Sequence, residues 1–139
     1  MKTYPFSALL SRMKYITRWS LMRSGRPESL SEHTADTAML AHMLCLIAQK
    51  CTGTGDGLRP EVVATAALYH DAPEILTGDM PTPVKYKNDA LRTAYKAVER
   101  ESARVMASLQ PNELQAETQD WLTGNVLNDA ERKLLKAAD

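Results

Sequence analysis

The residues of this 139-residue chain best suited to chemistry are two histidines and a few carboxylates: His33, the adjacent pair His70 and Asp71, and the terminal Asp139. Together they could form one metal site. Imidazole nitrogens and carboxylate oxygens suit a divalent cation such as Mn²⁺, Co²⁺, Fe²⁺, Ni²⁺ or Zn²⁺, and four ligands leave positions open for water and substrate. Taken singly, each residue has a plainer explanation. A lone histidine on an apolar stripe is usually a hydrogen-bonded core residue, and an aspartate ending a helix is usually at the surface. Other chemistries lack their motifs: there is no GxxxxGK[ST] phosphate loop and no GxSxG elbow. Cys45 and Cys51 form no CxxC pair, so they read as reduced thiols, with Cys45 in the core.

The elements that must position these residues are helical throughout. A first helix is expected over Phe6 to Ile16, where Leu9, Leu10, Met13 and Ile16 recur at helical spacing, followed by a loop from Arg18 to Pro27. Ser31 is the expected N-cap of a helix running to about Lys50, with Leu40, Leu44, Ile47 and Cys51 as one apolar stripe. At ~100° per residue His33 falls beside Leu40 and Leu44 and points inward, whereas His42 lies opposite and is not assigned to the metal. Met39 and Met43 are expected to be core packing rather than sulfur ligands. Pro60 opens a third helix with Val63, Ala67, His70 and Glu74 on one face, brought near its end by Pro73. TGDMPTPVKY reads as an ordered loop. A long amphipathic helix from Ala90 to Leu109 carries Leu91, Ala94, Val98, Ser102, Val105 and Leu109 and stops before Pro111. A short helix from Asn112 to Trp121 follows, and a last one starts at Asn128 with Glu131 completing a capping box. No segment alternates with period two. The expected fold is therefore one all-α domain over residues 1–139, a helical bundle of five to six helices.

Composition narrows the function further. Apolar residues make up 44% and charged residues 24%, the balance of a soluble globular domain. Net charge is zero, yet the first 27 residues carry +6 and the rest −6. Such a basic segment can attract a phosphate or simply be a solvated helix face. Too few basic residues and no stacking motif argue against a nucleic-acid polymer as partner. The only apolar run near the N-terminus, Ala8 to Leu10, is too short for a signal core or a membrane span, and a cytoplasmic protein is expected.

The segments SEHTADTAMLAH, ALYHDAPEILTGDMPTPVKY and LKAAD resemble the HD-domain phosphohydrolase family. More narrowly, together with LSRMKYITRWSLMRSGRPESLSEH, they are similar to its bacterial 5′-deoxynucleotidases. The resemblance implies an HD-domain helical bundle, and His33, His70, Asp71 and Asp139 as ligands of one divalent metal cation. Glu74 would orient or deprotonate the attacking water, and Arg18 would hold and orient the phosphate. Trp19 would contact the nucleoside, and Asp79, Met80, Pro81 and Thr82 would form a loop closing over sugar and phosphate. His33, Asp71 and Asp139 would also lie against the substrate. The implied reaction is metal-dependent hydrolysis of deoxyribonucleoside 5′-monophosphates, by a chain that forms a homodimer.

This chemistry suits the residue types. A phosphate monoester is an anion and repels nucleophiles, so a catalyst must neutralise it and supply a strong nucleophile. A metal ion does both, lowering the pKa of water from about 15.7 toward roughly 7, and an arginine fork matches phosphate oxygens. The rivals are an HD phosphohydrolase on another phosphoester, such as a cyclic nucleotide, a nucleoside triphosphate or a guanosine alarmone, and a helical module that binds metal or nucleotide without turnover. Related deoxynucleotidases continue with further helices, so this chain is expected to lack them. A carboxylate at a helix C-terminus is unfavourable unless a cation compensates it. Asp139 is expected to be the weakest-held ligand.

Overall fold

The computed structural model describes residues 3–20 and 22–139. Helix α1 (Phe6–Leu10) tightens into a 3₁₀ turn over Ser11–Tyr15, and then Ile16 turns extended. The single helix expected to reach Ile16 ends early because the chain must pair with the segment before the next helix: Leu30 N donates to Ile16 O at 2.9 Å and Arg18 N to Glu28 O at 2.8 Å. Helix α2 (Leu30–Ile47) is capped by Ser29 and not by Ser31. Ser29 accepts from the Glu32 amide while Glu32 accepts from the Ser29 amide, a reciprocal pair that needs a three-residue spacing. A short π turn, Ala48–Thr52, ends this helix.

Helices α3 (Pro60–Tyr69), α4 (Glu74–Thr77) and α5 (Thr82–Lys85) follow. The stretch read as a loop thus contains a helical turn, opened by Pro81 and carrying Pro83 in its first turn, where its missing N–H costs nothing. Helices α6 (Asp89–Ala107), α7 (Asn112–Thr123) and α8 (Asp129–Ala138) complete the bundle, the last with the expected Asn128 and Glu131 capping box. Five helices have ten residues or more, and no strand forms among the described residues. The all-α expectation holds. No helix among the described residues is long and apolar enough to cross a membrane.

His33 is buried as expected, but the core face of α2 lies beside the expected stripe and not on it. Leu40, Ile47, Met39 and Met43 are exposed, and so is Cys51, while the buried side carries Thr34, Thr37, Ala38, Ala41 and Cys45. Small residues win this face because α3 presents Ala66 and Ala67 to it, and two helices approach closely only where side chains are short. Val98 and Val105 of α6 are likewise exposed, and Tyr95, Ser102, Ala103 and Met106 are buried instead. Close packing against α2 has a positional result. Helices α3 and α8 run antiparallel to it, so their C-terminal ends meet its first turn, where His33 sits.

One buried carboxylate, paired with a half-exposed arginine, fixes the opposite ends of α3 and α8. Glu131 is fully buried and accepts from Arg59 N (3.0 Å), Arg59 Nε (2.9 Å) and Arg59 Nη2 (2.6 Å), besides closing the α8 capping box. These bonds hold its pKa below the ordinary carboxyl value. Replacing Glu131 by Ala leaves the Arg59 and Asn128 backbone amides without their acceptor, and should cost about 2 kcal/mol in urea denaturation. A loss below about 0.5 kcal/mol, the level of an ordinary surface change, would contradict this role.

Candidate active site

His33 stands in the first turn of α2, His70 caps the C-terminus of α3 with Asp71 following it, and Asp139 caps the C-terminus of α8. These are the positions that antiparallel packing brings together. One ligand atom from each of the four residues lies within 4.8 Å of the others. His33 Nε2 is 2.7 Å from Asp139 Oδ1 and 3.7 Å from Asp71 Oδ2, and His70 Nε2 is 3.3 Å from Asp71 Oδ1 and 3.4 Å from Asp139 Oδ1. Asp139 is the most exposed of the four side chains, at 40%.

The donor set fits a divalent cation. His70 Nδ1 lies 2.6 Å from the carbonyl of Ala67, which can only accept, so that nitrogen carries the hydrogen and Nε2 can offer its lone pair to the cluster. His33 presents Nε2 to the same space and turns Nδ1 toward Glu28 Oε2, 3.8 Å away. Hydrogen bonds from His33 and His70 hold Asp139 far below the usual carboxylate range. Burial opposes protonation of His70, but its bond to Asp139 and the charge of Asp71 outweigh that and raise its pKa. The pocket thus favours positive charge at its centre.

Glu74 lies beside this cluster, though not as the next turn of α3. That helix ends at Tyr69, and Pro73, with no N–H to donate, lets the chain restart at Glu74 as the first residue of α4. The side chain is buried, and its Oε2 has no hydrogen-bond partner. Burial, with the charges of Asp71 and Asp79, pushes its pKa up to about 8. A cleft of about 430 Å³ between α4, α6 and α7 opens beside Glu74 and His70.

Arg18, Trp19 and Asp79 approach from the other side. Arg18 Nη1 bonds Glu28 Oε2 at 2.7 Å, so Glu28 links Arg18 to His33. Arg18 and Trp19 line a groove of about 610 Å³. Trp19 has φ 57°, a left-handed conformation that costs a non-glycine residue roughly 1–2 kcal/mol. Its N–H donates to Asp79 Oδ2 at 2.6 Å, and its carbonyl accepts from Met22 N at 2.8 Å. Gly78, at φ 75°, turns the chain out of α4 to place Asp79 there. Met80 is half-buried, Pro81 is buried at the start of α5, and Thr82 is exposed. His42 stands apart from the donor cluster.

Several residues of this neighbourhood carried no signal of their own in the sequence. Glu28 was visible only as the first acid after a basic run. Lys85, Glu99 and Tyr95 meet beside Glu74 through contacts between α5 and α6 that no motif announces.

A helical bundle with two histidines and two aspartates gathered at the meeting point of α2, α3 and α8 is the arrangement of an HD-domain protein. A family model described as 5′-deoxynucleotidase YfbR-like matches residues 5–139, and the chain belongs to that family. It is 42% identical to the 5′-deoxynucleotidase VP0926 of Vibrio parahaemolyticus, over all of this chain and 71% of the relative. It is 43% identical to the 5′-deoxynucleotidase YfbR of Escherichia coli O1:K1, over all of this chain and 69% of that one. A crystal structure of an HD-domain phosphohydrolase from Listeria innocua superposes with a TM-score of 0.82 at 24% identity and shares the fold. That match covers 96% of this chain, which spans only 62% of the Listeria chain.

The raised pKa of Glu74 has a measurable consequence in metal-free protein. Between its ordinary value of 4.5 and about 8, the folded chain keeps a proton that the unfolded chain releases. Stability contributed by this group is therefore complete below the lower value and is lost as pH rises through the upper one. With a chelator present, Glu74→Gln should exceed the native chain in stability by roughly 4 kcal/mol at about pH 8 and match it near pH 4. A difference independent of pH in urea denaturation would contradict the buried, protonated carboxyl.

Proposed function

We propose that the chain hydrolyses deoxyribonucleoside 5′-monophosphates to deoxynucleoside and phosphate. The observation that carries this reading is a four-donor cluster with an orphaned, buried carboxyl beside it. His33, His70, Asp71 and Asp139 would hold one divalent cation. When bound, it supplies Lewis acidity at the phosphate and makes water acidic enough to be deprotonated near neutral pH.

The chain's own residues perform the remaining work. A neighbouring positive charge favours the ionised form of a carboxyl, so Glu74, protonated when the cluster is empty, becomes a base when it is loaded. Its unpartnered Oε2 can then accept a proton from the attacking water and return it to the departing 5′ oxygen. Atoms balance: water adds to phosphorus, the P–O5′ bond breaks, and the proton leaves with the nucleoside. Arg18 keeps one guanidinium nitrogen on Glu28 and offers its remaining donors to the phosphate. Trp19 and the segment from Asp79 to Thr82 bound the sugar, where a 2′-hydroxyl would need room and a partner.

We infer a homodimer and a cytoplasmic setting as well. Met39, Leu40 and Met43 on α2 and Val98 and Val105 on α6 are apolar surface available to a second copy. Two free thiols support a reducing compartment.

Phosphate release from a panel of deoxy- and ribonucleoside monophosphates, with added Co²⁺ or Mn²⁺, tests the reaction. Glu74→Ala and His70→Ala should each lower turnover by roughly 100-fold or more, the scale of losing a general base or a metal ligand. Equal activity in all three proteins would sink the mechanism. In the same panel, Trp19→Ala should narrow the deoxy-to-ribo ratio in kcat/KM by about tenfold or more, on the scale of one lost apolar contact. An unchanged ratio would remove Trp19 from the sugar edge.

A further inference from the structure

Lys85 takes no part in the chemistry outlined above, yet it is one of the better-enclosed cations of the chain. Its side chain is 18% exposed, Nζ donates to Glu99 Oε1 at 2.5 Å, and the same ammonium stands 4.5 Å from the centre of the Tyr95 ring. Tyr95 is buried, and its hydroxyl donates to Gly78 O at 3.3 Å and lies 3.3 Å from Thr77 Oγ1. Helix α6 therefore grips both ends of one segment, at Thr77 and Gly78 on entry and at Lys85 on exit. Asp79 lies within that segment and holds the left-handed Trp19 by its amide.

Among the described residues, the bonds from Tyr95 to Gly78 and from Trp19 to Asp79 are the only long-range hydrogen bonds of segment 78–81. The segment carries one proline with its glycine and makes few backbone bonds of its own, so it must be fixed from outside. A half-enclosed ion pair is seldom the most stabilising choice, since an apolar side chain of similar shape often serves as well. What an ion pair adds is direction: a charged donor and a charged acceptor meet in one geometry.

We propose that Lys85 is a positioning residue, clasped by Glu99 and Tyr95, which fixes segment 77–86 so that Asp79 and Trp19 keep one arrangement at the sugar edge of the site. The effect on substrate rests on the phosphatase reading above. The clasp itself does not.

The test pairs a structural readout with a kinetic one. Amide hydrogen exchange across 77–86 and around Trp19 is measured in the chelator-treated 139-residue chain, for the native protein, Lys85→Met, Lys85→Arg and Tyr95→Phe. With added Co²⁺, kcat and KM are measured for a deoxy- and a ribonucleoside monophosphate. Lys85→Met should keep the helical circular dichroism of the native chain and exchange the hydrogen-bonded amides of Gly78, Val84, Tyr86 and Trp19 about tenfold faster, as a local opening does. It should also lose roughly 10- to 100-fold in kcat/KM, the range that a small misplacement far from the chemistry can cost, with a reduced deoxy-to-ribo ratio. Lys85→Arg, which keeps the charge and can bond Glu99, should recover most of both. Tyr95→Phe, which keeps the ring and loses only the bond to Gly78, should loosen the same segment.

Native exchange rates in both Lys85→Met and Tyr95→Phe would overturn the clasp, whatever the activities. Faster exchange with unchanged kcat/KM and an unchanged ratio would overturn its role in positioning. A native chain that releases no phosphate, while Lys85→Met still loosens 77–86, would sink the phosphatase reading and leave the clasp standing.

Discussion

Asp71 and Asp139 converge on two histidines, with Glu74 beside them and Asp79 within reach of Glu74, and like charges held this close must be compensated or neutralised. Each carboxyl meets that requirement in its own way. Asp139 bonds both imidazoles, Asp71 lies within 3.7 Å of each, and Asp79 takes the amide of Trp19. Glu74 has no partner for one oxygen and keeps its proton up to about pH 8 instead. The C-terminal ends of α3 and α8 add partial negative charge at the same place. A divalent cation at the centre would answer all of these demands at once, and without one the pocket draws protons toward His70 and Glu74.

The fold is arranged to impose this convergence. Small residues on α2 and α3 allow close antiparallel packing, which carries His70 and Asp71 to the first turn of α2. Glu131 and Arg59 hold the starts of α3 and α8 together, so that ten residues later α8 ends beside His33. The residues in contact lie 69 and 106 positions apart along the chain. Helix length and register therefore decide whether Asp139 reaches the cluster at all.

The helical class, the α8 capping box and the four donors could be read from residue types and spacing, aided by a long, ordered motif resemblance. What could not be read depends on tertiary partners. The Leu40, Leu44 and Ile47 stripe looked like a core face by hydrophobicity, but α3 selects the neighbouring face of α2, where the small side chains of Ala38, Ala41 and Cys45 allow its approach. Glu74 kept its place beside the cluster while its helix did not, since Pro73 breaks the register between α3 and α4. Ser31 and Ser29 are equally good caps by type, and only Glu32 decides between them. Glu28 and Lys85 matter through pairs closed across the fold, which a linear reading has no means to match.

A working site requires the donor cluster to take up a cation, and cobalt reports on that directly through its visible absorption. Chelator-treated protein titrated with Co²⁺ at neutral pH should bind about one ion per chain, with a spectrum of mixed nitrogen and oxygen ligation and release of protons as histidine and Glu74 give up theirs. His33→Ala should weaken that binding by roughly 10-fold or more. Absence of saturable binding, or binding equally tight and spectrally identical in His33→Ala, would contradict a metal centre at the meeting point of α2, α3 and α8.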